Sequence, residues 1–313
     1  MSTGALPLGG SGDPGSGPAG ASGAPTATTA DPQPQPRSAR REVLHSLIRQ
    51  KTFMVGAAIL LFWIFCAIFG PSLTPHSAYS QSLLATNQAP SSHNWFGTDQ
   101  LGRDVFARVI AGARPIMITA PLAALLGTII GTSVGLVMGY YGGITDEVIS
   151  RFVEAFLALP LVVVAILGSV ALGASNLTLI VLIGVVFSPL IARTVRAAVL
   201  GEAELGYVTA ARLRGESSLN IMFVEILPNV MGPIIVEFTV RLGYAIFTLV
   251  TLSFLGFGLQ PPSPNWGADI QANISVVDAG YWWMVLFDVL AIASLVIGVN
   301  MFANSIQTAL EDS

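Results

Sequence analysis

Six long apolar runs constrain this chain more than any other feature of its sequence. Each run approaches or exceeds the roughly 20 residues that an α-helix needs to cross a bilayer. Over the whole chain 53% of residues are hydrophobic and 10% are charged, against about a quarter charged in ordinary soluble domains. The sequence therefore predicts an all-α membrane protein with six transmembrane helices. The predicted spans are 53–69, 116–140, about 148–172, 177–192, about 230–255 and 282–302.

The first forty residues differ in composition from the rest of the chain. They are rich in Gly, Pro and Ser and contain few large apolar side chains. Such a segment buries too little apolar surface to offset the entropy lost on ordering. Residues 1–40 are therefore expected to form a disordered cytoplasmic tail, and residues 41–313 a transmembrane domain. No apolar stretch near the start resembles a secretory signal, so the first span is expected to act as an uncleaved anchor.

The placement of arginine and lysine predicts the orientation of the spans. With a cytoplasmic amino terminus, ten basic residues fall on inner segments and three on outer segments. Because cytoplasmic loops carry an excess of Lys and Arg, both termini are expected on the cytoplasmic side of the cytoplasmic membrane. Tyr281, Trp282 and Trp283 are then expected to anchor the outer interface.

Glycines at four-residue intervals in the second span predict close packing against another helix.

The inner connection, residues 193–229, is far longer than the usual ~4–6 residues. Its sequence predicts a short helix over 207–213, a turn at Gly215 and a second helix over 219–226. These helices would present charged side chains together with Leu219 and Met222. An exposed surface that mixes charge with apolar side chains is typical of a docking site.

The outer connection, residues 70–115, is also long. In a helix over residues 104–113, apolar side chains would lie on one side and charged side chains on the other. This pattern predicts an amphipathic helix lying in the membrane interface. Contact with an external solute-binding protein is the alternative for this segment. His76 and His93 lack metal-ligand spacing and are expected to be solvated loop residues.

Four stretches, in chain order, resemble the oligopeptide/dipeptide branch of ABC importer permeases. FGTDQLGRD at 96–104 is similar to the segment that precedes the second span of that branch. The glycine-rich turn with Asp146 and Arg151 is similar to the turn before its third span. Residues 252–267, which read LSFLGFGLQPPSPNWG, are similar to a further segment of that permease branch. The inner connection resembles the EAA loop of this family, with Thr209 where the loop usually has Glu.

The resemblance implies a type I importer permease of MetI-like architecture, which forms the pore for di- or oligopeptides. Related permeases carry nickel, haem or other small molecules. The chain would be no enzyme and would hold no cofactor, since ATP and Mg would be bound by one or two separate ABC ATPase subunits. The sequence accordingly lacks the phosphate-binding pattern GxxxxGK[ST]. The other implied partners are a second homologous permease, an extracytoplasmic solute-binding protein and the lipid bilayer, with no nucleic acid.

The resemblance also assigns expected roles to individual residues. Those expected to couple the pore to the ATPase are Tyr207, Ala210, Ala211, Arg212, Gly215, Leu227 and Pro228. Those expected to form an extracytoplasmic gate or a contact with the binding protein are Asp99, Arg103 and Asp104.

Three charged residues fall at predicted bilayer depth, where insertion costs at least ~2.5–3.5 kcal/mol. Glu237 and Arg241 are four residues apart and can therefore pair on one helix face. Such a pair either ties helices together or lines the solute pathway, and Asp288 has the same two interpretations. A secondary transporter would need its own ion or proton site, for which the already paired Glu237 is a poor candidate. A membrane enzyme would need a metal cluster or a nucleophile with a base, and no such motif is present.

Overall fold

The computed structural model describes residues 50–311, and the predicted tail at 1–40 lies outside that range. The described part of the chain is helical apart from turns, two short 3₁₀ segments and one isolated bridge between Thr98 and Asp104. The helices are α1 (Lys51–Leu73), α2 (Val105–Tyr141), α3 (Gly143–Leu157), α4 (Leu161–Leu172), α5 (Asn176–Ala203), α6 (Gly206–Leu213), α7 (Ser218–Asn220, continued by a π-helix Ile221–Ile226), α8 (Met231–Phe254), α9 (Trp266–Asn273) and α10 (Trp283–Glu311).

Five of these helices, α1, α2, α5, α8 and α10, are long and apolar enough to cross a membrane. The predicted third span is a pair of helices, α3 and α4, bent by 83°. Pro160 lies at the break as the N-cap of α4. Because proline has no N–H and clashes with the preceding turn, it interrupts a continuous helix. Counting the bent pair as one span gives the six that the sequence predicts.

The centre of the bundle is the contact between α2 and α5. Four glycines of α2 face this contact, and a Cβ atom on Gly135 would lie 2.8 Å from the Ala192 carbonyl oxygen and 2.8 Å from Val195 Cβ. Small residues allow two helix backbones to approach this closely. The prediction of helix packing from the glycine repeat is confirmed. The four glycines are Gly127, Gly131, Gly135 and Gly139.

The prediction of a separate interfacial helix over 104–113 is wrong. Residues from Val105 onward are the first turns of α2, and Asp104 is its N-cap, accepting a hydrogen bond from the Ala107 N–H at 3.0 Å. The expected polar side is not in water, because Arg108 is buried against Asp269 of α9. α2 therefore extends beyond the apolar span. Its first turns contact the outer segment, defined here as residues 74–104 and 255–282, which lie between the outer ends of the spans.

Of the three residues predicted to anchor the outer interface, Trp282 is half exposed and Tyr281 is half-buried, and an anchoring role for these two stays a prediction. The Trp283 indole is buried and donates to the Thr98 carbonyl oxygen at 3.2 Å. Trp266 is also buried and donates to the Val109 carbonyl oxygen at 2.8 Å. Indole rings satisfied in this way act as core residues. The Trp266 bond fastens α9 to α2, and the Trp283 bond fastens α10 to the outer connection.

Candidate functional site

The inner connection folds into a compact elbow, defined here as residues 204–230, between α5 and α8. Helix α6 is held by Val208 and Ala211, which are fully buried in the core of the bundle. The expectation that Met222 is exposed is wrong, because the π-helix turns it inward and buries it. The elbow is therefore part of the packed structure rather than a loose connection.

A Schellman motif ends α6 at Gly215. The Gly215 N–H donates to the Arg212 carbonyl oxygen at 3.0 Å, and the Glu216 N–H donates to the Ala211 carbonyl oxygen at 3.3 Å. These two bonds satisfy carbonyls at the helix end. Gly215 has a φ of +77°, a conformation that only glycine adopts without strain. The predicted turn at this position is confirmed.

Tyr207 braces the elbow against both neighbouring spans. Its hydroxyl donates to Glu202 Oε2 at 2.6 Å, at the end of α5. The same oxygen accepts from Asn229 Nδ2 at 3.1 Å, just before α8. Burial and, second, the hydrogen bond to Glu202 raise the pKa of the Tyr207 phenol. The hydroxyl therefore keeps its proton at neutral pH and remains a donor.

Charged side chains cover one part of the exposed elbow surface. The Arg214 guanidinium lies 2.7 Å from a Glu216 oxygen and 3.7 Å from a Glu225 oxygen. Arg214 holds the pKa of Glu216 below its ordinary value. The Arg212 guanidinium lies over the Tyr140 ring at 4.9 Å, so the elbow also contacts the end of α2 through a cation–π interaction.

Apolar side chains occupy the other part of this surface. Leu213 is 84% exposed and Leu219 is 64% exposed, with Phe223 and Val224 also exposed beside them. Sequence reasoning found Leu219 but missed the other three. Leu213 carried a usable signal, because it lies out of phase with the buried Val208 and Ala211 on the same short helix.

The seven residues predicted for coupling differ in exposure. Ala210, Arg212, Gly215 and Pro228 are exposed, Tyr207 and Leu227 are half-buried, and Ala211 is buried. The structure thus places six of them at or near the elbow surface, while Ala211 contributes to packing.

Glu237 and Arg241 form the ion pair that their spacing predicts. Arg241 Nη2 lies 2.8 Å from Glu237 Oε2, and both side chains are largely buried. The other carboxylate oxygen accepts from the Thr194 hydroxyl of α5 at 2.8 Å. A carboxylate satisfied by α8 and α5 together has the geometry of a helix-to-helix tie. A role in the solute pathway stays a prediction.

Asp288 does not join that pair. It lies near the start of α10, on the side of the bundle opposite the elbow, and is only 2% exposed. Within residues 50–311 its Oδ1 has no hydrogen-bond partner. Its strongest electrostatic neighbours there are Asp269 of α9 and Arg108 of α2. The structure therefore separates the Glu237–Arg241 pair from Asp288, which lies near the outer start of α10.

The outer residues Asp99, Arg103 and Asp104 are all buried. Arg103 Nε donates to Asp99 Oδ2 at 2.6 Å, and Asp104 Oδ2 is hydrogen-bonded to His76 Nδ1 at 2.9 Å. His76 is therefore not the freely solvated residue that the sequence predicts. These bonds satisfy polar atoms of the three residues within the protein, and Asp104 also lines an open cavity of about 410 Å³ next to His76 and His93. A gating role for them stays a prediction.

Asp269 links this outer group to α2. Its Oδ1 accepts from Arg108 Nη2 at 2.6 Å and from Arg108 Nε at 3.0 Å, and Arg103 Nη2 lies 3.8 Å away. Burial raises the pKa of Asp269, and the two guanidinium groups oppose that rise. The pairing keeps two otherwise unfavourable buried charges compensated.

Two stretches of the chain match family models of transport proteins. Residues 131–313, more than half of the chain, match the family described as the binding-protein-dependent transport system inner membrane component. Residues 38–90 match the N-terminal transmembrane domain of oligopeptide transport permease C. The chain belongs to this permease family. It is therefore a multi-pass membrane subunit of an ABC importer and not the ATPase.

Several relatives resemble the permease over most of its length. The dipeptide transport system permease protein DppC of Bacillus subtilis is 38% identical over 265 residues, covering 85% of this chain and 83% of that protein. The di/tripeptide transport system permease protein DppC of Pseudomonas aeruginosa is 32% identical, covering 91% and 96%. The glutathione transport system permease protein GsiD of Shigella dysenteriae is 34% identical, covering 88% and 91%.

A solved structure supports the fold of the permease. A chain of the inward-facing MetNI methionine ABC transporter superposes with a TM-score of 0.52 at 20% identity, covering 65% of this chain and 96% of that chain. The predicted MetI-like architecture is confirmed.

The Tyr207 brace yields a first prediction for the permease. The Tyr207→Phe substitution keeps the ring but removes the hydroxyl that joins Glu202 and Asn229. Each lost hydrogen bond costs about 0.5–1.5 kcal/mol, so the elbow should open more often. We expect faster amide hydrogen exchange across 204–230 and unchanged exchange in α2. Tyr244→Phe, whose ring is exposed on α8, is the control, and equal exchange in both variants would contradict the brace.

Proposed function

We propose that this permease is a translocation-pore subunit of an ATP-driven importer that takes up di- or oligopeptides across the cytoplasmic membrane. The observation that carries the proposal is the similarity, over more than four-fifths of the chain, to permeases named for dipeptide and di/tripeptide transport. Glutathione, named for a third relative, is itself a tripeptide. All three relatives are therefore named for the transport of a short peptide.

The elbow is the proposed docking site for the ATPase subunits, which bind ATP and Mg. Its exposed apolar residues Leu213 and Leu219 lie beside Arg214 and Glu216, a combination that suits a protein partner. The Tyr207 brace joins the elbow to the ends of α5 and α8. A displacement of the elbow would therefore move both spans as rigid bodies.

The complete transporter would contain a second homologous permease, one or two ATPase subunits and an extracytoplasmic solute-binding protein. Both termini of this chain would be cytoplasmic. ATP can drive the cycle only if the ATPase subunits favour one state of the pore over the other. The binding protein would deliver the peptide at the outer side.

The proposal is tested by expressing the permease with its neighbouring subunits and reconstituting the purified complex in liposomes. We expect an ATPase to copurify and labelled dipeptide to accumulate only with ATP and binding protein present. A complex that never contains an ATPase would contradict the importer. A complex that imports another solute but no peptide would contradict only the assigned substrate.

Gly215 provides a test of the elbow itself. Valine at φ +77° is strained by roughly 1–2 kcal/mol, which would change the population of the native turn by about 5- to 30-fold. In Gly215→Val we expect peptide uptake to fall by a factor in that range while the protein still inserts and the ATPase still hydrolyses ATP.

Gly206→Val is the matched control, because Gly206 is also in the elbow and also faces open space, but has no positive φ. Uptake by Gly206→Val should stay near that of the wild type. Equal uptake by the Gly215 and Gly206 variants would show that the Gly215 turn has no part in coupling.

A further inference from the structure

Arg114 on α2 is a charged residue for which the described part of the chain provides no partner. Within residues 50–311 its guanidinium group makes no hydrogen bond, ion pair or ring contact. The other two arginines of the outer connection, Arg103 and Arg108, are both buried and paired with carboxylates. Arg114 is exposed, so its charge is free to meet a group from outside the chain.

The position of Arg114 along α2 places it at the depth of lipid headgroups. Tyr140 and Tyr141 end α2, and tyrosines are typical of a membrane–water interface. The 27 residues from Arg114 to Tyr141 correspond to about 40 Å at 1.5 Å per residue. A bilayer with its headgroup regions is about 40–45 Å thick. Arg114 therefore falls close to the opposite interface.

A cavity of about 190 Å³, called the outer cavity here, lies beside Arg114 and has both apolar and polar lining residues. Thr74, Ser77 and Tyr79, from the segment that follows α1, contribute hydroxyl groups to its lining. The floor is formed by small residues, among them Cys66 and Ala111. One guanidinium group with several hydroxyls around it is a donor set suited to a phosphate.

An apolar groove of about 320 Å³ continues from Arg114 toward the membrane centre. Apart from Arg114, its lining consists only of apolar residues of α1 and α2, namely Ile64, Ala67, Ile68, Met117 and Ile118. On α2, Met117 and Ile118 lie deeper in the membrane than Ala111 of the outer cavity, because α2 runs inward from Val105, while on α1 the two sets of lining residues overlap.

From this arrangement we infer that the α1–α2 groove binds one membrane phospholipid, with the headgroup phosphate on Arg114 and an acyl chain along the apolar groove. The outer cavity and the apolar groove share Arg114 and Ala67, so a single molecule can reach both. Arginine forms paired hydrogen bonds to phosphate, and the hydroxyl groups supply further donors. The site is separate from the elbow and independent of the solute carried.

The test is a titration of the purified full-length permease with phosphatidylglycerol, followed by native mass spectrometry of the bound lipid. Hydrogen bonds to charged groups are strong enough that Arg114→Gln should weaken binding by about tenfold or more. Arg151→Gln is the matched control, since Arg151 is an exposed arginine on α3. It should bind phosphatidylglycerol as the wild type does. Thermal unfolding checks that both variants are folded.

Free glycerol 3-phosphate distinguishes a lipid from a soluble anion. It carries the phosphate without acyl chains, so it should not displace phosphatidylglycerol even at a hundredfold excess. Full displacement would overturn the lipid assignment in favour of a soluble phosphate site. Equal binding by Arg114→Gln and wild type would overturn the site itself. Loss of the lipid when the second permease joins the complex would show that the groove is a subunit interface.

Discussion

The Gly135→Val substitution is expected to prevent the permease from folding stably. A Cβ atom at this position would lie 2.8 Å from both the Ala192 carbonyl oxygen and Val195 Cβ, and 3.0 Å from the Arg196 nitrogen. Two of these three atoms belong to the backbone of α5, so a rotamer change cannot relieve the overlap. Overpacking that shifts the backbone typically costs about 1–3 kcal/mol and occasionally more.

The measurement is the yield of monodisperse protein and its thermal unfolding midpoint in detergent. Gly201→Val is the matched control, because Gly201 lies on α5 with no atom within 4 Å of a built Cβ. Valine favours a helix slightly more than glycine, so this control should fold as well as the wild type or better. A Gly135→Val protein as stable as the control would contradict the close packing of α2 and α5.

Features set by short stretches of sequence could be predicted. The glycine repeat of α2, the Glu237–Arg241 pair and the turn at Gly215 each depend on residues within one helix or one turn. Helical spacing decides which side chains share a face, and a single residue type decides whether a positive φ is tolerated. The structure confirms all three.

Features that join distant parts of the chain could not be predicted. Arg108 and Asp269 are 161 positions apart, and no local period shows that one neutralises the other. The charged side of residues 104–113 was therefore assigned to water. Trp283 was assigned to the membrane interface for the same reason, since the Thr98 carbonyl group that accepts its N–H bond lies far away in sequence.

The candidate site also contains some features that could be predicted from the sequence and others that could not. The order of the elbow helices follows from local signals, but the exposure of each residue depends on packing. The π-helix Ile221–Ile226 changes the helical phase and turns Met222 inward. A regular period of 3.6 residues misplaces side chains beyond such a change. The exposed apolar surface thus combines Leu219, which was predicted, with Leu213 and Phe223, which were not.

Removing Arg108 is expected to destabilise the outer segment strongly. In Arg108→Met the Asp269 carboxylate loses its contacts at 2.6 and 3.0 Å and keeps the Asn265 N–H at 3.4 Å and, as its one cationic neighbour among the described residues, Arg103 at 3.8 Å. Breaking one side of a buried ion pair costs about 3–5 kcal/mol, because the remaining charge is uncompensated. The variant should show a lower thermal midpoint and rapid hydrogen exchange in α9, while the elbow exchanges as in the wild type.

A second substitution separates the charge from the packing. Asp269→Asn in the Arg108→Met background removes the uncompensated charge but keeps an oxygen that can accept from the Asn265 N–H. It should recover a large part of the lost stability, since replacing both partners of a buried pair is often close to neutral. Arg151→Met serves as the surface control, because its pairs with Glu147 and Glu154 are exposed and worth at most about 1 kcal/mol. If Arg108→Met is no less stable than Arg151→Met, the Arg108–Asp269 pair does not hold the outer segment on α2. If the double variant is less stable than Arg108→Met, the cost lies in lost packing and not in the buried charge.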